Sequence, residues 1–255
     1  MADFNVTPIP GMPMVQAGDN LAQQILDALA RADVELRTGD IVCLAQKIVS
    51  KAEDRQVDLA SVEPSSEAQT LAAETDKDPR LVELILQEST DILRKKPGIL
   101  IVRHKLGLVG ANAGIDQSNI DHGDGEAALL LPVDPDASAE RLREALFQTT
   151  GATVGVIITD SHNRPWRLGT VGVAIGCAGL TVLDDYRGGQ DSYGRELKVT
   201  LINRADALAA AATLVMGETT EKIPLAIIRG FEAEVDTANQ SAAMIARPLE
   251  EDLFK

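Results

Sequence analysis

Apolar positions along this chain switch between two periods, and the switching sets out the expected elements. Over residues 21–29 they recur at helical spacing behind a capping Asp19 or Asn20, which predicts a helix. Gly39-Asp40 then opens a continuous apolar run at 41–45, read as a buried strand. A more polar stretch, 46–51, follows and places Lys51 just beyond strand-like chain. Helices are expected near 67–74 and over 79–93, the second burying Leu81, Val82, Leu84, Ile85 and Leu86. Pro97-Gly98 interrupts before a strand at 99–102. A Gly/Asn-rich segment (107–119) and an acidic loop (121–126) come next, then a helix over 138–147 and a strand at 154–158. A strand at 171–175, an alanine-rich helix at 205–215 and a strand at 224–228 complete the pattern. Helices and strands alternate irregularly, which predicts an α+β fold with mixed β-sheets and flanking helices, not a doubly wound parallel one. The chain reads as one domain, 1–255, with subdomain boundaries near 80 and 160 as a finer division. The tail beyond residue 250 is expected to be loosely held.

The chemistry concentrates between residues 159 and 197, where acids, arginines and glycines surround a single apolar stretch. Asp160 and Ser161 fall where the 154–158 strand should emerge, a rigid place for a carboxylate and a hydroxyl to hold a hard cation. Asp116 and Glu218 are further oxygen donors at loops or element ends, and oxygen-only ligands suit Mg²⁺ or Mn²⁺. Each acid alone is equally an ordinary surface residue; only convergence in the fold would make a site. Arg164, Arg167, Arg187 and Arg195 suit an anionic ligand, or else belong to a solvated loop. Lys51 is placed to meet a phosphate, or is a plain strand-end lysine. Trp166, the only tryptophan, either stacks with its flanking arginines on a flat ring or covers a sheet edge. Residues 191–195 are a ligand loop or simply a turn. Neither a P-loop nor a strand-linked GxGxxG occurs, and Asn203-Arg204-Ala205-Asp206 reads as a helix cap.

Composition narrows these readings. A formal charge of −15 argues against nucleic acid as a partner. It also requires any site for anions to reverse the sign locally, most simply with divalent cations and a few basic side chains. No apolar run reaches the ~18 residues of a membrane span. The first residues carry neither a basic start nor an apolar signal core, so a cytoplasmic protein is expected. Cys43 and Cys177 sit in apolar segments and read as buried free thiols. His104, His122 and His162 have no zinc-ligand spacing.

Six motifs carry a resemblance across most of the chain: GDIVCLAQKIVSKAE (39–53), GLVGANAGIDQSN (107–119), LLPVDPDAS (130–138), ITDSHNRPWRLGTVGVAIGCAGL (158–180), DYRGGQDSYGREL (185–197) and ADALAAAATLVMGE (205–218). In these the sequence resembles the coenzyme F420-0:L-glutamate ligase (gamma-glutamyl ligase) family. The resemblance implies a GTP-dependent acid–amino-acid ligase joining L-glutamate, and further gamma-linked glutamates, to coenzyme F420-0, a family-specific α+β fold and an intertwined homodimer. The alternatives are an amide ligase for a different carboxylate acceptor and a non-catalytic nucleotide- or deazaflavin-binding dimer. It implies two divalent ions, Mg²⁺ or Mn²⁺, with K⁺ as a further candidate. By the same resemblance Asp116 and Asp160 would ligate one ion, Ser161 and Glu218 the second, and Lys51, Asp116 and Asp160 would be catalytic. Nucleotide contacts would fall on Met12, Pro13, Met14, Val15, Gln46, Lys47, Lys51 and Asn119. They would also fall on Met216, Gly217, Glu218, Thr219, Thr220, Glu221, Lys222 and Ile223. Arg164, Arg167, Arg187 and Arg195 are candidates for holding the acceptor's phosphodiester and carboxylates. Gln46 and Glu218 depart from the family's usual residues at those places, a small hydroxyl and a glutamine. Some relatives continue into a reductase-like domain, which a chain stopping at Lys255 is not expected to have. Neither the residues nor the resemblance assigns a general base for the amine.

Overall fold

The computed structural model describes residues 4–163, 166–231 and 240–253. The chain begins with β1 (Asn5–Pro8), α1 (Leu21–Arg31), β2 (Ile41–Ala45), α2 (Gln46–Ala52) and β3 (Gln56–Asp58). Helices α3 (Ser66–Thr75) and α4 (Pro79–Gln87) precede strands β4 (Ser89–Lys96), β5 (Ile99–His104), β6 (Val109–Ala111) and β7 (Ala127–Leu129). Then come α5 (Pro135–Thr150), β8 (Gly155–Asn163), β9 (Thr170–Ala178), β10 (Leu183–Asp185) and β11 (Leu201–Asn203). The last two elements are α6 (Arg204–Met216) and β12 (Leu225–Arg229).

Side chains that cap helices fix most of these boundaries. Asn20 Oδ1 accepts from Gln23 N at 3.1 Å and starts α1. Asp78 and Asp134 do the same for α4 and α5, each followed by proline at the first helical position. Asn203 Oδ1 accepts from Asp206 N at 3.0 Å, so the 203–206 tetrad is the helix cap expected of it.

A five-stranded mixed sheet, in the order β1-β12-β2-β8-β9, forms the centre. Only β2 and β8 run parallel; the other pairs are antiparallel. The continuous apolar run of β2 is explained by burial on both faces. Val42 and Leu44 pack with α1, α2 and α5, whereas Ile41 and Cys43 pack with α6. Glycines let these layers approach closely. A Cβ on Gly172 would lie 2.5 Å from the Thr213 side chain and 2.8 Å from the Ala209 carbonyl, both on α6. Gly172→Ala is therefore expected to cost about 1–3 kcal/mol through overpacking, read as a lower denaturant midpoint with an unchanged slope. Cys43 and Cys177 are free and buried, and burial pushes both thiols up.

A third core gathers Leu59, Leu71, Val82, Ile85, Leu100, Val102 and Ala128. Its elements lie between α2 and α5 in the sequence, forming a lobe built on the β4-β5-β6 sheet and the β3-β7 pair. The C-terminal segment is clasped by Asp136, whose carboxylate accepts from the backbone N–H groups of Cys177, Ala242 and Ala243.

Several expectations need correction. Helix α4 ends at Gln87 instead of running to 93, because residues 89–96 pair with β5 as an edge strand. Helical periodicity misled there, since tertiary pairing overrides a short apolar pattern. Residues 46–52 form a helix, so Lys51 stands on its last turn and not at a strand end. Strand β8 continues to Asn163, paired with β9 through a bulge next to Ile158, which places Asp160 and Ser161 inside a hairpin instead of at a strand exit. Among the described residues, no helix is long and apolar enough to cross a membrane.

Candidate active site

Asp116, Asp160 and Glu218, separated by up to about a hundred residues, come close enough for the charges of the first and last to act on Asp160, each delivered by a different device. Asp160 is carried on β8 opposite Val173 and keeps only a little exposed surface. Asp116 follows a tight turn in which Asn112, Ala113 and Gly114 all take positive φ. Its backbone is fastened to β7 by reciprocal bonds with Leu129, at 3.0 and 2.8 Å. Glu218 leaves the end of α6 just after Gly217, and Thr170 Oγ1 donates to its Oε2 at 2.5 Å.

Their convergence registers in the field at Asp160. Burial, first, and then the carboxylates of Asp116 and Glu218 raise its carboxyl to about 7, against partial relief from the Ser161 N–H and the Lys47 ammonium. The two neighbouring carboxylates disfavour the ionisation of Asp160. The donor set of carboxylates and hydroxyls suits a hard cation in its chemistry. As the side chains stand, no three His, Cys, Asp or Glu among the described residues are grouped to hold an ion. Asp116 is taken up by an ion pair with Lys47 and by Gln46 Nε2, at 2.9 Å from the same Oδ2.

Helix α2 supplies the basic wall. Gln46 Oε1 accepts from Ser50 Oγ at 2.8 Å, so its amide is turned with the NH₂ toward Asp116. One turn beyond Lys47, Lys51 donates to the Asn119 carbonyl at 2.8 Å. Burial, then the neighbouring Lys47, lowers the Lys51 ammonium, and Asp121 offsets part of this. Asn119 in turn donates its side-chain N–H to the Thr219 carbonyl at 3.1 Å. A chain of bonds thus joins α2, the 116–121 loop and the loop after α6.

Behind Asp160 lies a cavity of about 70 Å³ lined by His104, Gly110, Ala113, Leu131, Asp160 and His162, among others. His162 Nε2 lies 2.7 Å from the Val109 carbonyl, and its ring rests on Gly110, where a Cβ would come within 2.6 Å. This contact fastens β8 to the 59–130 lobe.

The remaining expected positions are spread more widely. Met12 and Val15 pack into the core while Pro13 and Met14 are exposed, in a loop that Gly18 N ties to the Ala52 carbonyl at the end of α2. Met216 is buried at the end of α6. Thr219, Thr220, Glu221 and Lys222 form an exposed loop with Ile223 half-buried, and Glu221 turns back to accept from Thr219 N. Ser161 is exposed next to Asp160. Arg164 lies outside the described residues. Arg167 and Trp166 are exposed near the tip of the β8–β9 hairpin. Arg187 is held bidentately by Asp185, and Asp191 Oδ1 accepts from Tyr193 N and Arg195 N, so residues 191–195 do make a turn. Among the described residues, no ion pair links these arginines to the three acids. Two contributors went unnoticed in the sequence. Thr170 is legible only once the hairpin pairs it with Asn163. Asp121 was part of a plain acidic loop.

Comparison with known proteins identifies the family. Residues 11–230 match the model of the family described as F420-0:gamma-glutamyl ligase. A protein of Methanothermobacter thermautotrophicus named coenzyme F420:L-glutamate ligase is 45% identical over 97% of both chains. Likenamed proteins of Methanopyrus kandleri (44%, over 99% of this chain and 98% of the relative) and Methanocaldococcus jannaschii (41%, over 96% and 94%) extend the similarity nearly end to end. The chain belongs to the F420-0:gamma-glutamyl ligase family.

Proposed function

We propose that this protein is a ligase that joins L-glutamate to coenzyme F420-0 by an amide bond, with GTP as co-substrate and GDP and phosphate as products. The observation that carries the reading is the convergence of the Asp116 and Glu218 charges on Asp160, with Lys47 paired to Asp116, in a chain of this family. A carboxylate and an amine do not condense without activation. In the proposed route the acceptor's terminal carboxylate attacks the γ-phosphorus of GTP, and the bond from that phosphorus to the bridging oxygen breaks to release GDP. The glutamate nitrogen then attacks the acyl carbon of the acyl phosphate, phosphate departs and the ammonium-derived protons pass to solvent.

All three reactants are anionic, so the protein's work is chiefly positioning and charge compensation. Asp116 and Asp160, with Ser161 and Glu218, would hold Mg²⁺ or Mn²⁺, which when bound would neutralise phosphate oxygens. Lys51 and Lys47 would meet the phosphates from α2. Asn119 and the 216–223 loop, already bonded together, would frame the nucleotide with Gln46 and residues 12–15. Arg167, Arg187 and Arg195 would meet the acceptor's acidic groups, Arg187 after release from Asp185. The exposed Trp166, Leu168, Tyr193 and Val199 suit burial in a homodimer.

Incubation with GTP, Mn²⁺, L-glutamate and F420-0 should yield products heavier by one or more glutamyl units in mass spectrometry. Phosphate release should require both the acceptor and glutamate. Phosphate release independent of the acceptor, with no mass increase, would overturn this function.

A further inference from the structure

One oxygen of Asp116 is fully occupied. Lys47 pairs with Oδ2 and Gln46 Nε2 donates to the same atom at 2.9 Å, the amide itself being braced by Ser50. The other two acids are differently placed: neither Asp160 nor Glu218 forms an ion pair among the described residues, and Glu218 receives the Thr170 hydroxyl. A divalent ion arriving at Asp116 meets the repulsion of an ammonium already seated on Oδ2, which weakens its binding until that ammonium leaves. Lys47 is about a quarter exposed (28%), on a long flexible stem, and shares its helix face with Lys51. It can therefore swing toward an arriving anion without rearrangement of α2.

We propose that Lys47 is a placeholder cation for Asp116. The phosphates of the nucleotide draw its ammonium away, the carboxylate is freed for the divalent ion, and nucleotide and metal therefore bind cooperatively. This rests on the metal- and nucleotide-dependent reading above. Coupling of this kind is reciprocal: whatever the nucleotide adds to metal affinity, the metal adds to nucleotide affinity. The seated Lys47 also offsets the charge of one carboxylate in a chain of charge −15.

The test is Mn²⁺ binding to the full-length protein, followed by the electron paramagnetic resonance of free Mn²⁺, without nucleotide and then with GDP. Lys47→Met should bind Mn²⁺ alone more tightly than wild type, on the order of ten-fold, whereas Lys51→Met should not. GDP should raise the Mn²⁺ affinity of wild type by a larger factor than that of Lys47→Met. Lys51→Met removes a neighbouring ammonium that is not seated on Asp116 and so controls for the loss of charge as such. Lys47→Gln serves as a second variant if the methionine form melts early. Equal or weaker Mn²⁺ binding by both Lys47 variants, with wild type still binding, would overturn the placeholder role alone. No saturable binding by any form, or binding unaffected by Asp116→Asn, would remove the metal site itself and the proposal with it.

Discussion

Replacing Asp160 by asparagine is expected to stabilise the metal-free protein at pH 8 while reducing ligation by about 10³-fold. The two effects share one cause. In the fold this carboxyl ionises near 7 instead of 3.8, because it is buried beside Asp116 and Glu218. Below about 3.8 it is protonated whether the chain is folded or not, and it adds nothing to the pH dependence. As pH rises from there through about 7, the unfolded chain gives up the proton more readily, and stability falls. Above that window the penalty is complete. Asparagine removes it, for a gain of roughly 1–3 kcal/mol once residual solvation of the carboxylate is allowed for. Chemical denaturation of both proteins across pH 3.5–8, without divalent ions, measures the difference. A stability gap that does not grow with pH would show that Asp160 is not strained by its neighbours. The ligation assay checks the other half: activity kept within a few-fold would remove Asp160 from the chemistry.

The largest loss of stability is expected at the opposite margin of the sheet. Asp40 is 1% exposed, and its two oxygens each accept from the Arg229 guanidinium at 2.7 Å. Arg37 N adds a third bond, at 2.8 Å, and Arg229 also donates to the Glu35 carbonyl. Strand β12 is thereby locked to the entry of β2. Arg229→Met strands a buried carboxylate, which should cost about 3–5 kcal/mol. Asp40→Asn combined with Arg229→Met should recover part of that, because no isolated charge then remains. Equilibrium urea unfolding of the two single variants and the double variant gives the coupling. A single-variant cost below about 1 kcal/mol would mean that water reaches Asp40 freely.

The sequence disclosed those parts of the fold whose determinants are local. Asn20 and Asn203 cap helices where their side chains predicted, whereas the Asp134 cap starts α5 at Pro135, ahead of the expected 138. The apolar run of β2 signalled a strand covered on both faces. Short strands such as β3, β7, β10 and β11 were not legible, because three residues carry no usable period and are held by partners far along the chain. The 79–93 segment failed for the same reason: Leu81 to Leu86 do form a helical face, but Ile92 belongs to a strand whose partner, Val102, is invisible to a local pattern. At the site, the residue types of Asp116, Asp160 and Glu218 could be picked out, whereas the reach of their charges to one place could not. It depends on the parallel pairing of β2 with β8, on the positive-φ turn before Asp116 and on the bend after Gly217. The charge logic, an acidic chain needing local positive charge, was visible in composition; that Lys47 already sits on Asp116 was not.

Asp116 hangs from the lobe whose core is Leu59 to Leu130, and Asp160 from the central sheet. The gap between the two carboxylates is thus a gauge of how one packed body seats on the other. A ligand gripping both oxygens acts as a rivet between them. Any work needed to draw the two bodies together is subtracted from its intrinsic affinity, and a substitution far out in the lobe can change how tightly the rivet holds without touching it.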